Sequence, residues 1–94
     1  MSKTAELQLP ENLTITNIHP IHERLESLVG SQTHDHIVIK SEAVQKADTA
    51  GLQLLYAFHM AAKERQISLA WHSPSDKLLQ VANTLGMGGV LGLN

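Results

Sequence analysis

Lys46-Ala47-Asp48-Thr49-Ala50-Gly51-Leu52-Gln53-Leu54-Leu55 decides how this chain is read. Asp48 is a strong helix N-cap, because its carboxylate can accept from the backbone N–H groups of Ala50 or Gly51. Thr49 is then the first helical residue, with its hydroxyl toward solvent. Leu52, Leu55, His59 and Ala62 follow at helical spacing, and Leu54, Phe58 and Ala61 widen that stripe. The spacing predicts a helix from about Thr49 to Arg65. Gly51 is the odd residue in it. Glycine early in a helix costs up to ~1 kcal/mol against alanine, so its presence signals a close approach by another backbone or by a partner surface.

Upstream of this helix, His36-Ile37-Val38-Ile39 reads as a buried central strand. Ser41 to Ala47 connects the two, with Val44 as an apolar anchor. Ala5-Glu6-Leu7-Gln8-Leu9 alternates apolar and polar, as a half-buried strand does. Pro10-Glu11-Asn12 is a turn, and Leu13-Thr14-Ile15 forms a second short strand. Ile18, Ile21, Leu25, Leu28 and Val29 define a first helix, capped by Thr16 or Asn17 and tolerant of Pro20 in its first turn. Gly30 ends it, and Ser31 to Asp35 is loop.

Downstream, Ile67-Ser68-Leu69-Ala70-Trp71 is another strand. Ser73-Pro74-Ser75-Asp76 caps a third helix with Leu78, Leu79, Val81, Ala82 and Leu85 inside, ended by Gly86. Met87 to Asn94 is an apolar, glycine-rich tail, read as closing a sheet edge or a partner groove. Helices alternating with strands imply crossovers and largely parallel pairing. The expected fold is a small α/β sheet with helices on it, in one domain over residues 1–94.

Composition narrows the function. The chain has 94 residues, a formal charge of −2 and scattered Lys and Arg, so phosphate-neutralising nucleic-acid binding is not expected. There is no cysteine, which removes disulfides, thiolate metal sites and a Cys nucleophile. No stretch approaches the ~20 apolar residues of a membrane span, and the N-terminus lacks a signal-peptide run. A soluble, cytoplasmic monomer without direct membrane insertion is expected. His19 and His22 stand three apart on a helix face, and His34 and His36 two apart. Nothing in the spacing gathers the three or four ligands a zinc site needs. A small histidine-based metal protein is the second alternative reading, with no cofactor in the preferred one. The carboxylates show no acid–base pairing, and Ser41, Ser73 and Ser75 no nucleophile-elbow context.

A phosphate on Thr49 would add about −1.5 to −2 charges at a helix N-terminus, which favours negative charge, while Asp48 opposes it. Such a change would leave the fold intact and alter the surface. The run from Asp48 to Leu55, with its flanking strands and helices, resembles the STAS domain, the anti-sigma factor antagonist family. The likeness extends from about Leu13 to Leu93. It implies a mixed four- or five-stranded sheet with about three to four helices packed against it, and a non-enzymatic partner-switching module. It implies Thr49 as phospho-acceptor, with Asp48, Thr49, Ala50, Gly51 and Gln53 forming the partner-binding surface. The implied partner is an anti-sigma or switch kinase or a chemosensory protein. The short form also resembles the small STAS subunit of lipid-transport ABC systems, where the partner would be the ABC ATPase. Many members place an Asp at the end of the central strand, where this chain has Lys40.

Overall fold

The computed structural model describes residues 4–30 and 35–93. His34, half of the His34/His36 pair, lies outside them. Five strands and four α-helices follow in the order β1 (Thr4–Gln8), β2 (Asn12–Leu13), α1 (Ile18–Gly30), β3 (His36–Lys40), β4 (Lys46–Ala47), α2 (Thr49–Glu64), β5 (Ser68–His72), α3 (Asp76–Thr84) and α4 (Gly88–Leu91).

The three long strands form one parallel sheet in the order β1-β3-β5, with Leu7 beside Ile39 and Ile39 beside Trp71. β2 and β4 form a separate two-residue parallel ladder, Asn12 with Lys46 and Leu13 with Ala47. The expected single mixed sheet is therefore two parallel ladders among the described residues. Helices carry the crossovers between the paired strands, and every pair among the described residues is parallel.

Alternation along the strands sorts the two faces of the sheet. Leu7, Ile37 and Ile39 are buried on one face, in a cluster with Leu25 and Leu28 of α1 and Leu52, Leu55 and Phe58 of α2. The other face carries Thr4, Glu6, Gln8, His36, Val38, Lys40, Ser68, Ala70 and His72, exposed or half-buried. Val44 is fully buried and anchors the connection after β3.

Several local expectations are corrected. Asn12 pairs as strand, while Ile15–Asn17 is a 3₁₀ turn. Thr16 and Asn17 lie within that turn and bond each other, Thr16 Oγ1 donating to Asn17 Oδ1 at 3.2 Å. Lys46 and Ala47 belong to a strand that periodicity over two residues cannot reveal. Leu85 is 39% exposed at the end of α3 and not inside. The apolar tail forms α4 and closes this chain's own core. Leu91 and Leu93 are buried, and Trp71 Nε1 donates to the Leu91 carbonyl at 2.7 Å.

Gly51 has a structural reason. A Cβ there would overlap the Leu13 carbonyl oxygen and stand 2.9 Å from Leu13 Cγ. The β2 backbone thus crosses the first turn of α2 at a distance only glycine permits. We expect Gly51→Ala to lose about 2–4 kcal/mol of unfolding free energy in a urea titration, because backbone must move to admit the methyl group. Gln66 follows α2 at φ 59, with the Ile67 N–H bonded to the Ala62 carbonyl at 2.8 Å. Left-handed backbone after a helix favours glycine. Gln66→Gly should raise stability by about 0.5–1 kcal/mol in the same titration.

Candidate functional site

The start of α2 is built around one carboxylate. Asp48 has extended backbone and caps the helix. Its Oδ1 accepts from the Gly51 N–H at 2.9 Å. Its Oδ2 accepts from the Ile15 N–H at 3.0 Å. The Asp48 N–H donates to the Leu13 carbonyl at 3.2 Å. One residue therefore ties the turn before α1 to the first turn of α2. These N–H groups, Gly51's first and Ile15's second, hold the Asp48 carboxyl below its ordinary value of 3.8.

The other site residues fall into place around it. Thr49 is exposed at the first helical position, and none of the described residues hydrogen-bonds its hydroxyl. Ala50 is half-buried and Gln53, one turn on, is exposed. Gly51 is buried, and the close approach it allows is taken by Leu13 of the same chain. Its contribution to this surface is to seat β2 and the Ile15 turn. Ile15 is not among the site residues that the sequence points to. Its side chain is 67% exposed although its backbone is pinned to Asp48. An apolar residue read as strand gave no signal of that exposure.

Lys40 lies elsewhere. Its Nζ stands 3.3 Å from Glu6 Oε2 on the bare sheet face. The histidines of α1 take neighbouring glutamates, His19 with Glu23 and His22 with Glu26, each at 2.9 Å. Among the described residues no three His, Asp or Glu side chains gather as a metal site. Among them, too, no helix is long and apolar enough to cross a membrane.

Parallel strands, layered helices and an Asp-capped α2 define a known kind of α/β domain. The crystal structure of a sulfate transporter family protein from Wolinella succinogenes superposes on it with a TM-score of 0.78, covering 98% of this chain and 75% of that one. The two are 18% identical, so the likeness speaks for the fold. The family described as "Mlab, STAS domain" matches residues 2–93. The chain belongs to the STAS family. No curated protein sequence gives a match.

Asp48→Ala removes two hydrogen bonds, one of them the helix cap, so we expect a loss of about 1–2 kcal/mol. The pH dependence carries the sign of a depressed carboxyl. Stability from Asp48 is complete above about pH 4 and is lost as pH falls through the lowered value. Urea midpoints between pH 7 and pH 3 should fall less steeply in Asp48→Ala than in the parent chain.

Proposed function

We propose that this chain is a non-enzymatic STAS module that docks a protein partner through the N-terminus of α2, with Asp48, Thr49, Ala50 and Gln53 on the contact surface and Gly51 seated beneath it. The observation that carries the reading is the exposed Thr49 hydroxyl, which no other described residue hydrogen-bonds, at a rigidly capped helix start. A docking residue held this way loses little freedom on binding. Thr49 is also chemically suited to be a phospho-acceptor. A phosphate would meet the positive end of the helix dipole, and would repel Asp48. The fold would persist while the surface gained charge, which is how a partner is released. The partner class is a switch kinase or a chemosensory protein, acting in the cytoplasm.

A second reading has its own support. The matching family is described as "Mlab, STAS domain". Lys40, salt-bridged to Glu6, adds no acidic group at the position where kinase-switched members often have one. Both points favour a constitutive subunit bound to the ATPase of an ABC-type lipid transporter.

Thr49 substitutions separate the two. Under the switch reading, Thr49→Glu abolishes partner capture, Thr49→Ala keeps it, and circular dichroism matches the parent in both. Co-purification that is stable in every Thr49 variant and indifferent to nucleotide supports the constitutive subunit and sinks the switch. Phosphosite mapping of the protein from its native host checks Thr49 directly.

A further inference from the structure

From Thr49 through Ala62, fourteen residues of a surface helix contain no Asp, Glu, Lys or Arg. That span measures about 20 Å along the axis. A helix side facing water ordinarily carries charge. The solvent side of α1 does so, with His22, Glu23, Arg24 and Glu26 exposed. The solvent side of α2 instead presents Thr49, Gln53, Tyr56, Ala57 and Met60, which share one helical face. Tyr56 is 40% and Met60 39% exposed. Ile15, 67% exposed, stands beside the helix start, its N–H held by the Asp48 carboxylate. Charge returns only at the ends, with Asp48 before the strip and Lys63, Glu64 and Arg65 after it.

We infer that the whole strip from Ile15 over Thr49, Gln53 and Tyr56 to Met60 is one docking surface, and that its partner is a protein face equally free of charge over about 20 Å. The inference rests on the docking reading above and deepens it. Two observations carry it. The strip is continuous with the Thr49 site, and its composition matches the core of an interface, where charged residues are depleted and Tyr and Met enriched. Charge sets the partner's chemistry. A Lys or Glu of the partner buried against Tyr56 or Met60 would lose its water and find no counter-ion, at strong cost. Nucleic acid and anionic membrane surfaces do not fit, because the strip offers no cation to them. Asp48 is a positioning residue here, since it presents Ile15 through the backbone.

Site-specific photo-crosslinking in the native host tests this with the full chain. p-Benzoylphenylalanine replaces Ile15, Gln53, Tyr56 or Met60 singly, with Gln8 and Arg24 as controls away from the strip. All the probed positions are exposed, and Trp71 fluorescence verifies each fold. We expect Gln53, Tyr56, Met60 and Ile15 to mark the same protein, the controls not to mark it, and the cross-linked segment of that protein to lack charged residues. Purified with that partner, Tyr56→Glu and Met60→Glu should weaken binding tenfold or more, and Met60→Leu less than threefold. Marking from Gln53 without Tyr56 and Met60 overturns the extended strip and leaves the docking reading standing. A charged partner segment, or tolerance of Met60→Glu, overturns the stated chemistry. Cross-linking of the chain to itself makes a second copy the occupant and overturns the partner assignment. No cross-link from any strip position removes both readings.

Discussion

The structure depends on one carboxylate and the glycine three residues after it. Asp48 caps α2 through the Gly51 N–H and grips the Ile15 N–H with its other oxygen. Gly51 lets the Leu13 backbone lie against the same turn. The two devices need each other. Without glycine, β2 would be pushed off the helix and Ile15 would leave the carboxylate. Without Asp48, the Gly51 and Ile15 N–H groups would lose their partner in the fold. The short β2–β4 ladder, only two residues long, is too small to hold this crossing by itself.

This arrangement makes the start of α2 a fixed point. Its exposed groups therefore sit in a defined pattern, although they lie on a surface that is otherwise free to vary. Thr49 protrudes beside a carboxylate already committed to two backbone donors. The sheet contributes from behind. Its helix-covered face holds α1 and α2 in the apolar cluster, and its bare face keeps Glu6, Lys40, His36 and His72 away from the helix start. The acidic, basic and titratable groups of the sheet are thus separated from the uncharged side of α2.

That separation gives a physical basis for regulation within the proposed reading. The outer side of α2 has no formal charge between Asp48 and Lys63. A phosphate at Thr49 would be a large local change against such a background. The same group placed among the His and Glu residues of α1 would alter its surroundings far less.

Much of this was legible in the sequence. The 3.6-residue spacing of Leu52, Leu55 and Ala62, the capping chemistry of Asp48, the buried run around Ile37 and the anchor at Val44 are local or periodic signals, and each follows from the residues alone. So does the anomaly of Gly51, since a glycine inside a helical pattern asks for a neighbour. Which neighbour it is could not be read. Leu13 lies far away along the chain, and only the folded crossing brings its carbonyl to that helix face. The same holds for the second bond of Asp48, to Ile15, and for the exposure of Ile15 itself. β4, two residues long, is too short to carry a period, and the tail's choice between its own core and a partner groove was settled by Leu91, Leu93 and Trp71. The sequence by itself determined the long helices and strands and where the exposed threonine falls. Tertiary structure decided what presses on Gly51, what Asp48 holds and which apolar side chains stay in water, because those depend on contacts between segments that no local pattern encodes.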